Sequence, residues 1–207
     1  MGAMTLAFTD RDEALEHARR AVLGRLAASC AGQGLRAPVG VLGYGAATLL
    51  DDAGRVLSSV PFGNLVTTAG DQYYARKAIV GISPANATAP TAVNGMKLGT
   101  GTSAATKSGA TAAIGTYITG SNVPFDATYP QAAAVGTDVG WQVTYKSTWA
   151  AGVATNGAIT EVVIVNDQAT NAATTAAGTI ARALMTSRNK TSTTILEVVW
   201  SHIFLGA

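Results

Sequence analysis

Residue types that carry cross-links or chemistry are scarce in this 207-residue chain. Cys30 is the single cysteine, so no disulfide can form within the chain, and synthesis in a reducing cytoplasm is expected. With His17 and His202 as the only histidines, the three or four ligands of a zinc site are not supplied. No run approaches the roughly 18 apolar residues of a membrane helix, which predicts a soluble protein. We therefore expect neither a metal site nor a cofactor.

Charge is also scarce, because Asp, Glu, Lys and Arg make up 13% of the residues, about half of the usual share. The net charge of +2 gives no strong field, so neither nucleic acid nor an anionic membrane is an expected partner. Residues 1–77 hold eight of the fourteen basic and seven of the twelve acidic side chains. The remainder has few charges to keep neighbours apart. Either an exposed threonine-rich surface or a surface covered by other subunits explains this.

The first predicted element is a helix that follows Thr9, which is a candidate cap. Leu15, Ala18, Val22 and Leu26 recur at three- and four-residue spacing and form one narrow apolar stripe. Leu15, Val22 and Leu26 make this helix a candidate docking helix. The stripe packs either on its own domain or on a partner protein.

Two extended segments, VGVLGYGAATLL and RVLSSVPF, flank a predicted turn over residues 51–54. Together with the helix they are assigned to an N-terminal region, residues 1–61, that forms a hairpin or an extended arm. Residues 62–207 are assigned to a separate β domain.

The predicted β domain contains one short helix, AGDQYYARK, and several candidate strands. The strands are rich in β-branched and aromatic residues and are separated by Gly, Asn, Pro, Thr and Ala. They span 77–82, 94–102, 113–120, 140–149, 158–167, 179–187 and 192–206. Short strands without interleaved helices predict a mainly β fold. The expected architecture is an antiparallel β-sandwich, jelly-roll or immunoglobulin-like, with an N-terminal α-helix.

The segment WQVTYKSTW alternates in polarity along its length, as a strand does. Trp141, Tyr145 and Trp149 fall on one face of this strand. Such a row is a candidate platform for a glycan or a protein partner. The alternative is a buried aromatic cluster in the core of a sandwich.

The segment GTSAATKSG resembles a phosphate-binding loop of the form G-x-x-x-x-G-K-[ST]. Gly101, Lys107 and Ser108 match the pattern, but Thr106 stands where the second glycine belongs. Such a loop must follow a buried parallel strand and open a helix, and the sequence around it predicts neither. We therefore expect a flexible loop between two strands, with no nucleotide hydrolysis.

Other catalytic arrangements have the residue types but no pairing in the sequence. His202 could form a triad only if the fold placed it beside a serine and an acid, and Ser201, Ser192 and Asp167 are available by chemistry alone. Sugar hydrolysis needs two carboxyl groups that face each other. The acids that could meet in space are Asp126, Asp138, Glu161 and Asp167. No catalytic residue is assigned, and the chain is expected not to be an enzyme.

Five segments together resemble a group of small virion proteins of tailed bacteriophages. They are NLVTTAGDQYYARKAIVG (64–81), MKLGTGTSAAT (96–106), GAITEVVIVND (157–167), TIARALM (179–185) and TTILEVVWSHIFLG (193–206). The resemblance covers roughly residues 62–207 and leaves the first 60 residues outside the pattern.

This resemblance implies a virion structural protein, assembled in the bacterial host cytoplasm, with no catalytic role. The concrete expectation is a capsid decoration or minor head protein that stabilises the particle through subunit contacts. Its expected partners are other copies of itself and phage capsid or tail proteins. The alternatives are a tail or fibre component that binds host glycans through the aromatic row, and a β-sandwich hydrolase.

Overall fold

The computed structural model describes residues 7–33, 40–78, 92–135 and 140–205. Two α-helices and one 3₁₀ turn accompany ten strands in these ranges. The helices are α1 (Arg11–Gln33) and α2 (Thr68–Ala78), and the 3₁₀ turn is Ala110–Ala112. The strands are β1 (Gly40–Leu50), β2 (Val56–Gly63), β3 (Leu65–Val66), β4 (Gly95–Gly99), β5 (Val123–Pro124), β6 (Gln131–Ala134), β7 (Trp141–Trp149), β8 (Asn156–Val165), β9 (Thr179–Lys190) and β10 (Ile195–Leu205).

The strands form two antiparallel sheets of five strands each. Sheet I has the order β2-β1-β10-β7-β6, and sheet II has the order β3-β9-β8-β4-β5. The longest pairing joins β1 to β10 from Gly40–Leu205 to Leu50–Ile195. The predicted mainly β sandwich with an N-terminal helix is therefore confirmed.

The core lies between the two sheets and is made of large aliphatic and aromatic side chains. Leu196, Val198 and Trp200 of β10 contribute from sheet I, and Ile164 of β8 and Leu98 of β4 contribute from sheet II. All five are fully buried. Alternation along β10 sends every second side chain into this core, so the strand holds the sandwich together at its centre.

The helix α1 covers the outer face of sheet I. Asp10 caps it, because its Oδ1 accepts hydrogen bonds from the backbone N–H of Asp12 (2.7 Å) and Glu13 (3.3 Å). The expected cap, Thr9, is thus one residue too early. The stripe that packs on the sheet consists of Ala14, Ala18 and Val22.

The helix packs on its own domain as far as its side chains are described. Ala18 and Val22 contact Tyr44 of β1 and Ile203 of β10. Leu15 is partly exposed at the edge of this contact, and the side chain of Leu26 lies outside the described residues. The described part of the stripe therefore packs on the protein's own domain, which is one of the two predicted alternatives.

A long segment, residues 100–122, covers the outer face of sheet II. Ile114 and the partly buried Tyr117 pack on Val163 and Val165 of β8. The segment contains one 3₁₀ turn and is otherwise irregular. The strand expected over residues 113–120 is therefore wrong, apart from a single bridge between Gly99 and Tyr117.

The division of the chain near residue 61 is also wrong. The hairpin around the turn at Gly54, which has a φ of +76°, is present, but its strands β1 and β2 belong to sheet I. Because β1 lies between β2 and β10, a boundary at residue 61 would cut through a sheet. The strand expected at 77–82 is replaced at its start by the end of α2, and residues 79–82 lie outside the described ranges.

Candidate interaction surface

A buried ion pair joins the two central strands of sheet II. Glu161 of β8 and Arg182 of β9 both have fully buried side chains. The Nε and Nη2 atoms of Arg182 donate to Oε2 of Glu161 at 2.9 and 2.7 Å. Both N–H groups thus make charge-assisted hydrogen bonds to one carboxylate oxygen, and such bonds are stronger than those between neutral groups.

The same pair fastens the segment 100–122 to the sheet. Oε1 of Glu161 accepts backbone N–H groups from Gly101 (2.8 Å), Thr116 (2.9 Å) and Gly115 (3.0 Å). Nη1 of Arg182 donates to the carbonyl oxygen of Thr111 at 2.8 Å. A carboxylate enclosed in this way has no path to a substrate, so its role in the geometry is to hold the loop.

Two glycines of the LGTGT segment make room for this carboxylate. A Cβ atom on Gly99 would lie 2.3 Å from Oε1 of Glu161, and one on Gly101 would lie 2.5 Å from it. Both distances are far inside van der Waals contact. The segments LGTGT, GAITE and TIARALM, which are distant in sequence, therefore meet at one structural point.

Lys107, the lysine of the loop that resembles a phosphate-binding loop, is engaged in protein contacts. Its Nζ donates to Oδ2 of Asp71 at 2.5 Å and to the carbonyl oxygen of Val66 at 3.0 Å. The preceding strand β4 pairs antiparallel with β5 and β8, and the 3₁₀ turn that follows has three residues. The strand-loop-helix geometry that gathers N–H groups on a phosphate is absent here.

The three described acids among those considered for sugar hydrolysis are each held by a different partner. Asp167 lies 2.8 Å from Nζ of the buried Lys97. Asp126 accepts from the Thr148 hydroxyl at 2.7 Å, and Glu161 is held by Arg182. Asp138 lies outside the described residues.

His202 lies at the centre of a buried aromatic cluster. Its Nε2 is 2.9 Å from the Asn64 amide nitrogen, and its Nδ1 forms a hydrogen bond with the Tyr74 hydroxyl. The Tyr74 and Tyr145 hydroxyls are 3.0 Å apart. Burial lowers the pKa of His202 to about 3 and raises the pKa of both tyrosines. At neutral pH this is an uncharged hydrogen-bonded group.

The candidate partners of a serine triad are elsewhere. The Ser201 hydroxyl bonds to the Thr144 hydroxyl at 3.0 Å, and Asp167 is paired with Lys97. Ser192 is exposed. Neither ring nitrogen of His202 has a serine or an acid among its hydrogen-bond partners. The hydrolase interpretation thus receives no support from this geometry.

The aromatic row of β7 is divided between the core and the surface. Tyr145 and Trp149 are buried at 2% and 0% exposure, and the Trp149 indole donates to the Ser121 carbonyl oxygen at 2.7 Å. Trp141 is 61% exposed. The expectation of a three-ring contact platform is corrected to a single exposed ring, because the inner face of β7 turns into the core after its first residues.

Trp141 adjoins an exposed edge strand, β6, that the sequence did not predict. Ala134 of β6 pairs with Trp141, and Gln131 pairs with Thr144. All four residues of β6 are exposed, and β6 is the last strand of sheet I. The segment QAAA has little β propensity, which is why it gave no strand signal; its position next to β7 is set by pairing.

A cleft of about 640 Å³ opens between α1, β1 and the segment 100–122. Its lining includes Val22, Leu42 and Leu184 together with the engaged side chains of Lys107 and Arg182. Because both cations already have protein partners, no free charge marks the cleft as a site for an anion.

Among the side chains that the structure describes, no three of His, Cys, Asp or Glu are grouped so that they could hold a metal ion. Within the described residues, no helix has both the length and the apolar character needed to cross a membrane.

Comparison with known proteins adds no relative to this description. No family model, no curated protein and no solved structure matches the chain. The surface formed by β6 and Trp141 is the candidate functional site because β6 is an exposed edge strand and the Trp141 ring beside it is exposed.

Proposed function

We propose that this chain is a structural protein of a tailed-bacteriophage virion, and specifically a capsid decoration or minor head protein. In this role it stabilises the particle by contacts with other copies of itself and with capsid proteins. The proposal assigns no catalytic role and no cofactor to the chain. Its place of action is the virion, after assembly in the bacterial cytoplasm.

One observation carries the proposal. Four described side chains with reactive groups have partners within the fold: Glu161 and Arg182 hold a loop, Lys107 binds Asp71, and His202 lies in the core. In contrast, the uncharged strand β6 and the indole of Trp141 are exposed. Aromatic residues are enriched and charged residues depleted at the centres of protein interfaces. This distribution supports a protein that acts through surface contacts.

The experiment is a direct search for the chain in purified particles of the phage that encodes it. We expect quantitative mass spectrometry to give a fixed number of copies per particle. Particles from a phage that lacks the gene should release their genome at a lower temperature than the parent. Absence of the chain from purified particles would remove the proposal.

A tail or fibre component that binds host glycans is the second candidate, and the exposed Trp141 favours it. An indole can stack on the apolar face of a sugar ring. Binding to a glycan array that is lost in Trp141→Ala would favour this function over the first. Because Tyr145 and Trp149 are buried, Tyr145→Phe should leave any such binding unchanged and serves as the control.

A further inference from the structure

The edges of the two sheets differ in how they are protected from pairing with another strand. In the described ranges, β3 and β5 have two residues each, and β5 includes Pro124. The edge strand β2 contains Pro61 and is bridged by Phe8, with N–H···O distances of 2.9 and 2.7 Å between Phe8 and Ser59. Short strands, proline and covering segments are the usual protection of sheet edges.

The edge strand β6, which directly follows Pro130, has four residues against two in β3 and in β5, and no described segment pairs with its outer edge. It runs from Gln131 to Ala134 without a proline or a charged residue, and all four residues are exposed. Its partner β7 occupies one side only, so alternate backbone N–H and C=O groups point away from the sheet. A row of this kind is a template for an additional strand.

The surroundings of β6 provide room for the side chains of an added strand. On the outer face, a cleft of about 370 Å³ lies between α1 and β6, and its lining combines Leu15, Tyr44 and Val135 with the polar or charged side chains of Asp12, Glu16, Arg19 and Gln142. At the end of β6, the ring of Trp141 is exposed beside Ala134. Beside its backbone pairing, an added strand would therefore contact the Trp141 ring and a cleft with both apolar and charged lining.

We propose that the added strand is β6 of a second copy of this chain, paired antiparallel about a twofold axis. The two copies of sheet I then form one continuous sheet of ten strands. The inference deepens the proposed function and rests on it, since it names a contact between copies.

The absence of charge from β6 favours a second copy as the occupant. In a twofold interface each residue meets the same surface of its partner, so a charge on β6 at the axis would face a like charge. Residues 131–134 contain none, and their three alanines leave the backbones free to approach. Self-pairing thus needs no complementary partner sequence.

The test uses the full chain with a charge placed on β6. Ala132→Lys and Ala132→Glu each put two like charges across the twofold axis, so each should raise the dimer dissociation constant at least about tenfold. An equal mixture of the two variants should recover dimers, because opposite charges then face each other. The measurement is sedimentation velocity over a range of concentrations. Ala151→Lys, which changes an exposed residue of the β7–β8 turn, is the matched control and should dimerise like the wild type.

If the mixture forms dimers and neither variant alone does, self-pairing through β6 is established. A wild-type chain that stays monomeric at the highest concentration reached, or a dimer that both variants leave intact, overturns the inference. These results are separate from the search in purified particles. A chain that occurs in particles but does not pair through β6 leaves the proposed function standing, whereas a dimer that is absent from particles refutes only the function.

Discussion

The two outer faces of the sandwich are covered in different ways. On sheet I, α1 packs through the small residues Ala14, Ala18 and Val22. On sheet II, an irregular segment is held by the buried Glu161–Arg182 pair and by backbone N–H groups that donate to Glu161. The first cover is regular and depends on close packing. The second has little regular structure of its own, so it depends on one buried ion pair.

This difference explains why Glu161 and Arg182 are buried in sheet II. A helix satisfies its own backbone groups except at its ends, but an irregular segment does not. Glu161 supplies the acceptor that the N–H groups of Gly101, Gly115 and Thr116 require. Arg182 balances the charge of that acceptor and donates to one carbonyl of the same segment.

Breaking the Glu161–Arg182 ion pair of sheet II should have the largest effect on stability. Arg182→Met leaves the Glu161 carboxylate buried without its cation, and we expect the free energy of unfolding to fall by about 3–5 kcal/mol. Urea denaturation measures this loss, and hydrogen exchange at Gly101 and Thr116 should speed up. The control is Arg55→Met, which removes an exposed ion pair with Asp51 and should cost less than about 1 kcal/mol. Equal losses in the two variants would contradict the account of this cover.

A change of pH should have the next largest effect, because it acts on His202, which is fully buried in the core. In the unfolded chain His202 binds a proton below about pH 6.5, whereas in the folded chain its pKa is about 3. The unfolded state therefore binds more protons as the pH falls, and stability drops from pH 6.5 towards pH 3. Between pH 7 and pH 4.5 the loss due to this residue should be roughly 2–3 kcal/mol.

The comparison of wild type with His202→Asn isolates this contribution. Carboxylates such as Glu197 titrate in both proteins: burial alone would raise the pKa of Glu197, but hydrogen bonds from Lys146 and Arg11 lower it on balance. The difference between the two stability curves therefore reports on the histidine. The expected result is a flatter curve for the variant, measured by urea denaturation at each pH. Parallel curves would mean that His202 is not held neutral in the folded protein.

Enlarging a residue of α1 that faces sheet I should have the smallest effect of the three. Ala18 is 4% exposed against sheet I, so Ala18→Leu overfills the contact and should cost about 1–3 kcal/mol. Ala21→Leu makes the same change on the exposed side of α1 and should stay within about 0.5 kcal/mol of wild type. Thermal and urea unfolding of both variants provide the measurement. Equal stabilities would indicate that the alanine stripe is not closely packed.

The sequence predicted the strands with clear alternation or long apolar runs. The alternation of WQVTYKSTW placed Tyr145 and Trp149 on one face, and both are buried. The helix over AGDQYYARK was also predicted and appears as α2. These elements carry their signal locally, through spacing and turn residues.

The features that the sequence did not predict depend on contacts between distant segments. A sequence does not indicate that β1 pairs with β10 rather than forming an arm with α1, nor that β6 is a strand, since pairing and not propensity decides both. The Glu161–Arg182 pair had one signal that could have been used. Each residue interrupts an otherwise apolar strand, and a charge in such a position is rarely buried unless it is paired.

The central claim is that reactive side chains of this protein serve its fold and that its function lies in the contacts of an uncharged surface. The most direct test counts copies per particle for two variants. Ala132→Lys, which changes only the exposed edge, should lose its place in the particle, whereas Lys107→Ala, which removes the lysine of the Gly101–Ser108 loop, should be incorporated like the wild type. Normal incorporation of Ala132→Lys together with loss of Lys107→Ala would contradict the claim.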